Sequence, residues 1–403
     1  MARPDHDHNL TAVPKFSDHQ RRLRLARRHH LAPSCRSDDV REIAASLVGL
    51  HATDPASVFL AARARMPSMK LADLEAALYE DRTLLKVLGM RRTMFVVPLE
   101  LAPVLIYGCA LPLVPGETRK LENMVAEAGV TDRPEQWVER VMAETEEALQ
   151  RRGPSLANEL SSEIPELATR LSFGEGKTWA GTMGLSTRIL FLLATAGRIV
   201  RSRPRGSWLS SQYRWVTIAD WLERPLPPMA VQEARVQLAS RWLAAYGPAT
   251  VDDFKWWSGW TVAQTRTALE GAGAIEVDLE TSKGVVLPGD LDPDEEVEHS
   301  AWFLPALDST VMGWKEREWY LGPYRPLLFD TNGNAGPTIW WEGRVVGGWG
   351  QRPGGKVVYR LLEEVGSGAM SAIAEECDRL DTWLEGTRVI PRFRTPLEKE
   401  LAV

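Results

Sequence analysis

His51, Thr53 and Asp54 stand close together in the segment Gly49-Leu50-His51-Ala52-Thr53-Asp54-Pro55. In an extended backbone alternate side chains share a side, so the imidazole and the hydroxyl would hold a single water between them. An imidazole with an ordinary pKa near ~6.5 is mostly neutral at cytoplasmic pH and accepts that water's proton while Thr53 positions it. Asp54 has two readings. It is either a further carboxylate base or the N-cap of a helix opened by Pro55, because an Asp cap followed by proline at the first helical position is a favourable start. Capping does not require His51, which is either catalytic or a hydrogen-bonded structural histidine.

A second feature is charge. Residues 182–219 contain Arg188, Arg198, Arg201, Arg203, Arg205 and Arg214 and no acidic side chain, in a chain whose formal net charge is -6. The stretch reads as an apolar helix from Leu185 to Ala194, a stop at Gly197, and two strand-like runs about Arg203-Pro204-Arg205-Gly206-Ser207. That order is the shape of a winged helix-turn-helix, in which a helix enters a duplex groove and a basic hairpin grips phosphate. Arg198, Arg201, Arg203 and Arg205 are the expected DNA contacts there. Arg91, Arg92 and Thr93 are the corresponding candidates on an earlier hairpin. Trp256, Trp257 and Trp260 read first as core, with stacking on an extruded base as the functional alternative.

The elements that must position these residues follow from local rules. Arg21 to His30 reads as a basic helix with a solvated face, and Ser37 with Asp38 and Asp39 starts a helix running to about Leu47. Helices from Pro55 and over Leu71 to Tyr79 precede a strand pair over Lys86 to Val97. After a largely helical stretch, Pro103 to Gln150, the pattern restarts at Gly153-Pro154-Ser155-Leu156, with Gly174 and Gly176 as breakers. It recurs once more. Thr250 caps a helix over Val251 to Trp257, Gly259 ends it, a second helix covers Thr261 to Glu270, and strands cover Ala274 to Leu279 and Gly284 to Leu287. Asp290 to Glu298 holds six acids in nine residues and reads as an exposed linker. Beyond it, Thr338 to Trp341, Arg344 to Gly347 and Lys356 to Leu361 are strands, closed by a helix from about Ala369 to Leu384.

The fold class is therefore α+β: tandem winged helix-turn-helix units with a C-terminal β-rich module. The expected division is a flexible arm at 1–16, winged helix 1 at 17–102, a helical spacer at 103–150, winged helix 2 at 151–222 and winged helix 3 at 223–289. An acidic linker at 290–300 leads to the C-terminal module at 301–403. With 403 residues, 44% hydrophobic and 25% charged, the composition is that of a soluble globular protein. No apolar run approaches the ~20 residues of a spanning helix, which points to the cytoplasm and the nucleoid. Cys35, Cys109 and Cys377 lie far apart, so neither a disulfide framework nor a metal site is expected. The reading is of a monomer without cofactor.

The repeated helix-hairpin pattern, the segment from Gly49 to Pro55, Met90-Arg91-Arg92-Thr93 and Leu304-Pro305-Ala306-Leu307-Asp308 together resemble the AlkZ-like DNA glycosylases over most of residues 20–395. The resemblance implies tandem winged helices wrapped around double-stranded DNA and excision of alkylated bases, especially bulky N7-alkylguanine. Family members carry glutamine, one intervening residue, then glutamine or aspartate where this chain has His51 and Thr53. The implied activity is that of a monofunctional glycosylase. The alternative is a noncatalytic winged-helix DNA-binding protein, a regulator or lesion binder, from which freed base distinguishes it.

Overall fold

The computed structural model describes residues 13–173 and 181–403, and Gly174 and Gly176 lie outside the described residues. Helix α1 (Asp18–Arg28) opens with a capping box between Ser17 and Gln20, and α2 (Val40–Ser46) is capped by Asp39. Ser37, the expected start, accepts the Asp39 N–H just ahead of the helix and donates to Glu42. The chain then enters strand β1 (Leu50–His51) through Gly49, whose φ of +110° and contact with Val97, 2.8 Å from where a Cβ would sit, admit no side chain. Helix α3 (Pro55–Arg63) is buried along its whole length, as an apolar helix must be when neighbours cover every side. It is followed by α4 (Leu71–Glu75), then strands β2 (Leu84–Leu88) and β3 (Met94–Pro98). The sheet order is β1-β3-β2, antiparallel throughout, with His51 opposite Phe95.

Two longer helices, Val114–Glu127 and Pro134–Arg152, pack on one another. Helix Ala157–Glu163 and the pair β4 (Arg170–Phe173) and β5 (Gly181–Gly184) precede the apolar helix Leu185–Thr195. The basic hairpin is β6 (Ile199–Pro204) with β7 (Tyr213–Thr217). Helix Val231–Tyr246, which the sequence reading did not anticipate, buries Trp242 and Tyr246. The next helix, Val251–Ser258, obeys every local rule. Thr250 and Asp253 form a capping box, and Gly259 closes it in the left-handed conformation. Helix Val262–Gly271 and strands β8 (Ile275–Asp278) and β9 (Lys283–Val286) follow. A four-stranded antiparallel sheet, β10 (Ala301–Leu304), β11 (Thr338–Trp341), β12 (Arg344–Gln351) and β13 (Val357–Leu361), is covered by helix Ser367–Leu384. Helices and antiparallel sheets in these proportions make an α+β fold.

Two expectations are corrected. The described end of the supposed arm is packed: Lys15 pairs with Asp278, and Phe16 is buried against Val277, Leu279 and Val286. Nor is the acidic segment a free linker beside a solvated basic helix. Arg24 of α1 is buried, pairs with Asp290 at 3.1 Å and Asp294 at 2.7 Å, and Arg28 pairs with Asp290 at 2.5 Å. The acids form a strap that neutralises α1, and Leu304-Pro305-Ala306-Leu307-Asp308 makes a second lock. There Asp308 and Arg65, both fully buried, meet at 2.7 Å, with Arg65 also donating to Thr310 and to the His29 and Ala61 carbonyls.

Candidate active site

His51 ends β1, where its ring meets Phe95 edge-on at 5.2 Å and its backbone N–H donates to Ser309. The imidazole is buried, and its Nδ1 has no hydrogen-bond partner among the described residues. Burial, reinforced by the Arg91 charge, pulls its pKa down to about 3. The ring is therefore neutral throughout the physiological range and a far weaker base than an unperturbed histidine. Thr53 places a second buried, unpartnered polar atom, Oγ1, on the same side. Buried polar atoms are almost always paired. Two orphans on one wall mark a place prepared for something else to bond.

That wall belongs to a cavity of about 450 Å³, lined by His51, Thr53, Arg91, Thr93 and Trp256 and closed by residues of the C-terminal part that include Arg317, Asn334 and Phe393. This is within the ~300–1,000 Å³ of small-ligand clefts. Asp54 is elsewhere. One of its oxygens accepts the Ala56 N–H as N-cap of α3, and the other accepts the Arg392 N–H. Burial raises its carboxyl pKa, against the lowering effect of those two bonds. With both oxygens committed to backbone, Asp54 is a structural cap and not a base beside His51.

The turn between β2 and β3 carries Arg91 and Arg92 at φ +52° and +60°. Two successive left-handed, non-glycine residues cost about 1–3 kcal/mol each, so the surroundings must fix them. Arg91 is held by stacking on Trp256, its guanidinium carbon 4.0 Å from the ring centroid. Room for it comes from Gly259, where a Cβ would lie 3.2 Å from Arg91 Cγ. Burial, and the neighbouring charge of Arg317, lower the Arg91 pKa to about 10. Arg317 stacks on the same Trp256 at 4.6 Å and on Phe329 at 4.9 Å. Trp257 and Trp260 are core residues, whereas Trp256 lines the cavity.

The remaining expected DNA contacts fare differently. Arg92 points away and pairs with Glu117 at 3.0 Å, while Thr93 lines the cavity. On the second hairpin, Arg198 pairs with Glu146, and Arg203 reaches Glu75 and Glu80 at 3.1 and 3.2 Å. The strip itself carries no acid, but acids distant in sequence pair with Arg188, Arg198 and Arg203. Arg201 lies half-buried over Tyr213 and Trp215, its Nε unpartnered, and Arg205 is exposed. Both line an open groove with Asn158, Ser211 and Gln212.

Sequence reasoning missed Arg317, Asn334 and Phe393. Arg317 sits between Glu316 and Glu318, a local pattern that reads as a solvated charged run. Among the described residues no group of three or more His, Cys, Asp or Glu could hold a metal ion, and no helix is long and apolar enough to cross a membrane.

The family model "DNA glycosylase AlkZ-like" matches residues 44–383. Among solved structures, the chain is similar to the Streptomyces sahachiroi DNA glycosylase AlkZ, with a TM-score of 0.71 and 20% sequence identity. The match covers 91% of this chain and 97% of that one. No curated protein matches the sequence.

Proposed function

The chain belongs to the AlkZ-like DNA glycosylase family, and from that premise we propose that it hydrolyses the N-glycosidic bond of alkylated purines, N7-alkylguanine foremost, at the cavity beside His51 and Thr53. It is a DNA-binding hydrolase of DNA repair. The observation that carries the finer reading is the pair of buried, unpartnered atoms, His51 Nδ1 and Thr53 Oγ1, on one cavity wall.

Alkylation at N7 makes guanine a cation, so the C1′–N9 bond breaks with the electron pair leaving on an already activated base. Water then adds to C1′ of the sugar cation and its proton passes to solvent water. An electrophile of that strength needs an oriented water more than a strong base. The neutral His51 accepts a hydrogen bond from the water and Thr53 fixes its position, a role that a pKa of about 3 leaves intact. Among the described residues no carboxylate lines this cavity. The full negative charges nearest the sugar cation are then the phosphates of the DNA itself.

In the same reading, residues 17–102, 151–222 and 223–289 are three winged-helix units around the duplex, with a spacer at 103–150. The C-terminal module, 301–403, closes the site. Each of the three units has helices followed by an antiparallel hairpin, which supports that division. The protein acts as a monomer on chromosomal DNA in the cytoplasm. Incubation with a duplex carrying N7-methylguanine, followed by mass spectrometry of freed base, tests the activity. The double variant His51→Ala/Thr53→Ala is expected to release base at least about 100-fold more slowly, the lower end for loss of a proton-transfer group. Unchanged release by a folded double variant overturns the assignment of this site.

A further inference from the structure

Three guanidiniums line the cavity, and Arg91 and Arg317 are the two withdrawn from solvent while Arg325 stays exposed; neither of the two has a carboxylate partner among the described residues. Both stack on Trp256. Arg317 is 5% exposed, and its Nε and Nη2 are buried without a partner, as is Nε of Arg91. Asp253, the acid whose charge reaches Arg317, spends its oxygens on the backbone N–H groups of Thr250, Lys315 and Glu316. Lys315 is already paired with Asp252 at 3.3 Å. Burying charge without a partner is costly. A fold that retains two such charges on one indole, one of them on a left-handed backbone, is built to receive an anion there.

The reaction offers two charged groups. The alkylated base is a cation and gains nothing from a wall that holds arginines and no acid. The phosphodiester flanking the lesion is an anion, and a guanidinium fork matches its oxygens. We propose that Arg91 and Arg317, braced on Trp256, form a phosphodiester clamp that seats the lesion-strand backbone so that the sugar's C1′ faces His51 and Thr53. This rests on the reading of the cavity as the glycosylase site and goes beyond it. Arg91 and Arg317 bind and position, Trp256 braces both, and the base remains outside the clamp.

Binding of an undamaged duplex, followed by fluorescence anisotropy across a potassium chloride series, reads the clamp without catalysis. Loss of one phosphate contact lowers the log–log salt slope by about 0.9. Arg91→Gln and Arg317→Gln are each expected to lower it by about that amount, and the double variant by about twice as much. A second measurement needs no protein variant. In a duplex held in register by one N7-methylguanine on a hydrolysis-resistant 2′-fluoro sugar, single phosphates are replaced by neutral methylphosphonate. One or two adjacent positions should weaken binding by the wild-type protein about 10-fold or more, and cost the Arg91→Gln/Arg317→Gln variant nothing.

Salt slopes equal to wild type in both folded variants overturn the clamp, as does a methylphosphonate scan in which no position discriminates. If the variants do not fold, the wild-type scan alone decides. The two readings fail separately. Loss of release in His51→Ala/Thr53→Ala with unchanged arginine slopes removes the clamp and keeps the site, and the reverse outcome removes the site and keeps the clamp.

Discussion

The burial of His51 predicts a pH profile that an ordinary histidine would not give. With a pKa of about 3, only about 1% of the ring carries a proton at pH 5, whereas a histidine titrating near ~6.5 would be only about 3% neutral there. If neutral His51 orients the water, base release should change less than 2-fold between pH 8 and pH 5. An unperturbed imidazole in that role would lose about 30-fold over the same interval. A phosphate seated on Arg91 and Arg317 is neutralised by them, so the charge around the ring stays positive and the pKa stays low. The assay is single-turnover release of N7-methylguanine, with excess enzyme at fixed ionic strength. A fall of 10-fold or more with a midpoint near ~6.5, absent in His51→Gln, would refute both the neutral ring and its burial. The same shift has a stability consequence. Because the folded pKa lies below the unfolded one, the unfolded chain takes up the proton first, and folding stability is lost as pH falls from about 6.5 towards 3. Chemical denaturation at pH 7 and pH 5 should show that loss, and His51→Gln should remove this contribution to it.

Asp54→Ala should cost about 0.5–2 kcal/mol of stability through the lost cap of α3, and leave base release within about 3-fold of wild type; release as slow as in the His51→Ala/Thr53→Ala variant would return Asp54 to the chemistry. Arg65→Met strands Asp308 in the core, where breaking a buried pair costs about 3–5 kcal/mol, so a large drop in melting temperature is expected and an unchanged one would contradict the lock.

Much of what surrounds the site could be read from residues a few positions apart. Thr250, Asp253 and Gly259 each act within one helical turn, so the helix that presents Trp256 was legible to within a residue. His51 and Thr53 share a wall because side chains alternate along an extended chain, and Asp54 caps because proline follows it. What was not legible depends on distant partners. The arginines at 198 and 203 meet Glu146, Glu75 and Glu80, and Arg24 meets acids of the 290s. No charge count over a window includes such pairs. Trp256 and Trp257 differ by about 100° around the helix, and only packing decides which faces the core. The pKa of His51 was equally out of reach, since it reports how much protein surrounds the ring.

These pairings change how a chain of net charge -6 can hold a polyanion. At physiological salt, charges are screened beyond about 8 Å, so the overall negative charge does not govern contact with DNA. On the outer surface a phosphate must displace Glu75 and Glu80 to reach Arg203, and that exchange of one anion for another yields little. In the cavity, Arg91 and Arg317 have no such competitor, and their desolvation cost has already been met by the fold. Backbone affinity is thereby concentrated at the place where His51 and Thr53 wait for water. A glycosylase arranged in this way should bind undamaged DNA with a modest salt slope, and should owe a disproportionate share of that slope to two arginines sharing one tryptophan.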